Sequence, residues 1–260
     1  MSNFMEDYQR GLLMNECTNY VPFGVAIDNS GSMMNLLASG KTRFQTAVDE
    51  LEKFLLKLAE NATLSENVHL FLYTFGGEKV SCIVEGKALC DLNIPQLGQQ
   101  LRALPCSGKT PMGHCIVEMM DRLEEAKRVV SRAALNYSQP IMTIIGDGLP
   151  TDDLTVAKER IYAAMEQAQQ KLLLLPVGIG DPGMTFDVFD VLLNKDRTET
   201  PVVSSADGLK AYFKLLNKTV RSIEKGQFIT PSTQFGMVRT IAENAALTSQ
   251  RGQTREGGDC

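Results

Sequence analysis

With 260 residues, 43% of them hydrophobic and 22% charged, the chain has apolar material for one large α/β domain with appendages, or at most two small domains. A formal net charge of −5 and the lack of any basic cluster argue against a nucleic-acid partner. No apolar run approaches the length of a bilayer span.

The N-terminus has no basic start leading into an apolar segment, so no secretory signal is expected. Cys17, Cys82, Cys90, Cys106, Cys115 and Cys260 form no CxxC pair and no zinc-like spacing with His69 and His114. They read as reduced, mostly buried thiols of a protein in the cytoplasm.

In chain order, Phe23 to Ile27 is a short apolar strand ending at Asp28 and followed by a polar loop. Apolar residues at 44, 47, 48, 51, 54, 55 and 58 make the stripe of an amphipathic helix. Val68 to Phe75 is a strand, and Gly76-Gly77 turns it into an alternating edge strand, Lys79 to Glu85. Ile94 to Leu104 is a short helix, and residues 115–135 carry a longer helical stripe. Ile141 to Ile145 is a buried strand ending at Gly146-Asp147. A helix opening at Pro150 to Asp153 is expected to run to about Gln170, with Thr151 as its cap and Asp152 and Asp153 in its first turn. Leu172 to Ile179 reads as one strand, Phe186 to Leu193 as a short helix, Pro201 to Ser204 as an edge strand, and Leu209 to Ile223 as the closing helix.

Apolar strands interleaved with helices predict a three-layer α/β sandwich, mostly parallel with one antiparallel edge strand. The domain is expected over 21–224, between an N-terminal extension (1–20) and a C-terminal one (225–260) with a short helix over 235–247 and a polar tail.

The segment Asp28-Asn29-Ser30-Gly31-Ser32-Met33 directly follows the first strand. Ligands of open α/β sheets bind beyond the carboxyl ends of strands. Asp, Ser and Ser at i, i+2 and i+4 on a turning loop can converge on one point, with Gly31 supplying backbone freedom. One carboxylate and two hydroxyls suit a hard oxygen-seeking ion and make a poor zinc or copper site. Taken alone, such a Gly/Ser segment is more often a plain turn.

DNSGSM resembles the DxSxS motif of the von Willebrand factor type A (VWA) family. Gly108-Lys109-Thr110-Pro111-Met112-Gly113 is similar to that family's threonine loop, and Ile144-Ile145-Gly146-Asp147-Gly148 to its aspartate turn. The resemblance implies a VWA fold over residues 21–224 and a metal-ion-dependent adhesion site (MIDAS). Asp28, Ser30, Ser32, Thr110 and Asp147 would hold Mg²⁺, with Mn²⁺ or Ca²⁺ as alternatives. Met33, Lys109, Pro111 and Gly148 would face a partner whose Asp or Glu completes the coordination. Asp28 and Asp147 would about neutralise a divalent ion, leaving attraction for that further anionic oxygen.

The Gly-x-Pro-Thr-Asp-Asp stretch ending at Asp153 and the Thr-Pro-Met-Gly loop look most like the bacterial branch associated with tellurite resistance and stress operons. Its neighbours suggest a PP2C-type phosphatase or a Ser/Thr kinase as partner. Two departures stand out. Gly146 replaces a Thr or Ser, and Lys109 brings a cation that either weakens metal affinity or pairs with an incoming carboxylate.

Binding rather than catalysis is therefore expected. A Mg²⁺-dependent phosphohydrolase or phosphotransferase is the alternative, but Ser30 stands where a dehalogenase-type enzyme needs a second Asp. A scaffold with a vestigial metal site is the third reading. His114 reads as an exposed helix-start residue, and Cys106 and Cys115 as inert thiols.

Overall fold

The computed structural model describes residues 19–147, 150–167, 171–181, 187–193, 202–203 and 205–229. The expected 235–247 helix and Gly148 lie outside them.

β1 (Asn19–Asp28) is buried almost from end to end, as a strand covered on both faces must be. It starts earlier than its apolar run implied. Tyr20, placed by sequence in the N-terminal extension, is fully buried, with its ring centroid 4.1 Å from that of His69 and 5.7 Å from that of Tyr137.

A 3₁₀ turn over Gly31–Met34 leads to α1 (Arg43–Ala59), whose N-terminus carries a reciprocal capping box between Thr42 and Gln45. α2 (Ala62–Asn67), β2 (Val68–Gly76), β3 (Lys79–Ala88), α3 (Ile94–Arg102) and α4 (Met112–Arg132) follow. The second half comprises β4 (Asn136–Tyr137), β5 (Ile141–Gly146), α5 (Thr155–Glu166), β6 (Leu173–Leu174), β7 (Val177–Ile179), α6 (Asp187–Leu192), β8 (Val202–Val203) and α7 (Ala206–Glu224).

The sheet runs β3-β2-β1-β5-β7-β8, with β4 beside the start of β1 and β6 beside the start of β5. Among the described strands only the β2–β3 pair is antiparallel. This is the three-layer, mostly parallel α/β sandwich with one antiparallel edge strand that the sequence predicts.

Side chains on opposite pleats of β1 meet opposite layers. Phe23 packs edge-on against Phe54 of α1, which stacks on Phe213 of α7 at 5.0 Å between centroids. Gly24, on the other face, leaves room for Met119 of α4.

The expected 172–179 strand is interrupted at Leu175-Pro176. Proline has no N–H for the ladder. The Tyr212 hydroxyl satisfies the Leu175 carbonyl at 2.7 Å and accepts from the Thr143 hydroxyl. Among the described residues no helix is long and apolar enough to cross a membrane.

Candidate metal centre

β1 and β5 are parallel neighbours with Ile27 opposite Ile145, so Asp28 and Asp147 leave the sheet side by side at its carboxyl rim. Both are buried, at 0% and 4% exposure. That proximity needs a close backbone approach. A Cβ on Gly146 would lie 3.0 Å from Asp28 Cβ and 3.2 Å from its Oδ2. Gly146 therefore does more than omit a hydroxyl, since any side chain there would press on the Asp28 carboxylate.

A hydrogen-bonded chain joins the two acids. The Ser30 amide donates to Asp28 Oδ1 at 2.7 Å, the Ser30 and Ser32 hydroxyls are 3.1 Å apart, and the Ser32 hydroxyl donates to Asp147 Oδ1 at 2.6 Å. Asp28 Oδ2 is buried with no hydrogen-bond partner among the described residues. Burial pushes the Asp28 carboxyl up to about 7; the Ser30 hydrogen bonds oppose the rise and the Asp147 charge adds to it.

The loop carrying Thr110 is laced to both aspartate loops. Ser107 N–H donates to Asn29 O at 3.1 Å and Gly31 N–H to Gly108 O at 3.5 Å. Gly108 takes a φ of 65° and packs against Gly77, where a Cβ would fall 2.8 Å from the Gly77 Cα. On the other side Thr110 exchanges two bonds with Thr151: its N–H donates to the Thr151 hydroxyl, and its carbonyl accepts from the Thr151 N–H, both at 3.0 Å.

Asp152 accepts from the N–H groups of Gly113 and His114 at 3.1 and 2.8 Å. It thus caps α4 and not the following helix. Asp153 serves α5 through Thr155, and Thr151 is a loop clamp rather than a helix cap.

Several expected roles change. Gly31 does not take a left-handed conformation. Met33, expected to face a partner, is fully buried in the 3₁₀ turn, while Met34 and Leu36 beside it are exposed, at 53% and 64%. Lys109 does not reach the acids: its ammonium lies 3.3 Å from Glu78 in an exposed pair. Pro111 is half-buried, and His114 is exposed near Glu118.

Cys17 and Cys260 lie outside the described residues; among those described, Cys82 and Cys90 are exposed and only Cys115 fits the expectation of a buried thiol outright. Burial raises Cys106 to about 11 and also pushes the Cys115 thiol well up, which keeps both protonated and unreactive.

The residue that sequence reasoning missed is Arg43. Its side chain is 5% exposed and donates from Nη1 to Asp147 Oδ2 at 2.6 Å and from Nη2 to Asp181 Oδ2 at 3.0 Å. A signal was present. Arg43 is the first residue of α1, where the helix dipole disfavours a cation unless a carboxylate compensates.

The two carboxylates and the Ser30 and Ser32 hydroxyls brought together here are donors of the kind that suits a hard divalent ion, and Asp28 Oδ2 is the uncommitted oxygen among them. Among the described residues no group of three or more His, Cys, Asp or Glu side chains is placed to hold a metal ion, so any ion held here relies on hydroxyl oxygens as well.

No family model and no curated protein matches the chain. Solved structures share its fold. The pilus adhesin SpaC from Lactobacillus rhamnosus GG, in its open conformation, matches with a TM-score of 0.58 at 15% identity, over 79% of this chain and 30% of that one. The PilB minor pilin from Streptococcus sanguinis matches with 0.55 at 13% identity, over 82% of this chain and 63% of that one. The chain thus spans under two thirds of either protein. The SpRpn10 VWA domain is covered over 94% of its length, against 76% of this chain, with a TM-score of 0.48 at 14% identity. At such identities the likeness is one of fold. Strand order and helix layers define the class as a three-layer, mostly parallel α/β sandwich.

Proposed function

We propose that the chain is a metal-ion-dependent protein-binding module. In it Asp28, Ser30, Ser32, Thr110 and Asp147 hold a Mg²⁺-class ion, and a partner's Asp or Glu is the further ligand. The observation that carries this reading is the buried Asp28 Oδ2 with no partner among the described residues, beside a second buried carboxylate. An uncompensated buried charge is costly, and a cation compensates it.

When bound, the ion supplies a positive charge that attracts one more anionic oxygen. The chain does the rest. The Ser30 amide orients Asp28, the Ser30 and Ser32 hydroxyls bridge the acids, and Thr151 and Asp152 hold the Thr110 loop in place. Met34 and Leu36 offer apolar contact beside the rim, and Lys109 a charge.

The motif resemblance extends the proposal to a bacterial stress-resistance assembly of the tellurite-associated type, with a PP2C-type phosphatase or a Ser/Thr kinase as the first partners to try. The free thiols at Cys82, Cys90, Cys106 and Cys115 support placing it in the reducing cytoplasm. In a pull-down with such partners, wild type should capture in Mg²⁺ and lose capture in EDTA or as Asp28→Ala. Equal capture in EDTA and Mg²⁺ would defeat the proposal.

A further inference from the structure

We infer that Arg43 is a built-in counter-cation of this site, a positioning residue that fixes Asp147 and sets how tightly a divalent ion can bind. The inference rests on the metal-site reading and goes beyond it.

The Arg43 guanidinium is buried and shares its two terminal nitrogens between Asp147, whose side chain is fully buried, and Asp181, whose side chain is 71% exposed. Without a divalent ion, it neutralises one of the two acids at the rim. Asp147 is thus a compensated buried carboxylate, while Asp28 keeps an oxygen without a partner among the described residues.

An ion entering the site meets this cation in either of two ways. An ion held by Asp147 Oδ2 would compete with the Nη1 contact. An ion held by Oδ1, which now accepts from the Ser32 hydroxyl, would share one carboxylate with the guanidinium. Both lower metal affinity, because like charges a few ångströms apart repel in a partly desolvated pocket.

Asp181 decides what the displacement costs. A buried guanidinium stripped of its only acid would be strongly unfavourable. Arg43 keeps Asp181 in hand and can give up Asp147 without becoming an isolated charge. Asp181 lies in the bend after β7, so metal binding at the rim and the hold on that bend are coupled through one side chain.

The test is a Mn²⁺ titration, read directly by the loss of the free-ion EPR signal and repeated with Mg²⁺ by calorimetry. It uses wild type, Arg43→Gln, Asp181→Asn and the double variant. Arg43→Gln should bind about tenfold tighter, the order expected on removing one nearby unit charge. Asp181→Asn, which leaves Arg43 leaning on Asp147, should bind weaker. In the Arg43→Gln background the Asp181→Asn effect should largely vanish, a coupling that simple loss of a surface charge would not give.

Wild-type binding that Arg43→Gln leaves unchanged or weakens overturns the inference and spares the metal site. An additive double variant also overturns it. Should Arg43→Gln fail to fold, unchanged or tighter binding by Asp181→Asn overturns it alone. No binding by wild type or any variant removes the metal site and the inference together. Binding by Arg43→Gln but not by wild type supports both.

Discussion

Asp28 buries a carboxylate with one oxygen on the Ser30 amide and the other without a partner among the described residues. A neutral side chain of the same shape keeps the first bond and removes the buried charge, including its repulsion from Asp147. Asp28→Asn should therefore stabilise the metal-free protein by about 1 kcal/mol at pH 8, since its new amide is itself imperfectly paired there. It should also abolish any stabilisation by Mg²⁺. Urea denaturation in EDTA and in Mg²⁺ measures both, and a destabilised metal-free variant would mark Asp28 as structural.

At this scale the juxtaposition of Asp28, Ser30, Ser32 and Asp147 was legible because each stands at a strand end or on the loop that follows. Arg43 was not, because a residue opening an amphipathic helix is naturally read as part of its solvated start. Met33 was misplaced because a turning loop does not reveal which of its side chains faces inward, and the 3₁₀ turn over Gly31–Met34 buries this one.

Among the elements, the long strands and helices were readable from period alone, since β1, β2 and β5 are continuous apolar runs and α1 and α4 carry one-sided stripes. What was not readable depends on partners distant in sequence. β4 exists because Asn136 and Tyr137 pair with the start of β1, and Pro176 breaks a strand whose apolar run is unbroken. Asp152 looks like a first-turn acid of the helix after it, yet caps α4 from across the rim.

That last assignment has a measurable consequence. Asp152→Ala strips two N–H groups of α4 of their acceptor and removes a charge from its dipole, costing about 1 to 2 kcal/mol in urea denaturation. It should also weaken Mn²⁺ binding, because Thr110 stands just before that helix. Unaltered affinity in a destabilised Asp152→Ala would show that the cap does not position the loop.

Over the whole molecule, the chain winds from β1 outward to β2 and β3, then crosses to β5, β7 and β8 on the other side. The reversal falls between β1 and β5, the place where α/β sheets open a crevice, and it is there that Asp28 and Asp147 meet. Stability, too, is a property of the whole sheet, and two of its buried groups pull the pH dependence in opposite directions. His69 on β2 lies against Tyr20 of β1 and pairs Nδ1 with the Gly86 carbonyl of β3. Burial pushes it down to about 4 from 6.5, so it is neutral in the native protein and becomes protonated first in the unfolded chain. Its contribution is present above pH 6.5 and is lost as pH falls toward 4, by about 3 kcal/mol at full expression.

Asp28, raised from 3.8 to about 7, has the opposite sign: its contribution is complete at low pH and is lost as pH rises through about 7. Over the range where both titrate, the two largely offset one another in the metal-free protein. The Asp28→Asn variant removes one of them. Its unfolding free energy in EDTA should fall steeply between pH 6.5 and 4 while that of wild type changes less, and adding His69→Gln should flatten the variant's profile. Parallel profiles for wild type and Asp28→Asn would mean that the Asp28 carboxyl is ionised normally in the folded protein, and that its orphaned oxygen is compensated without a metal.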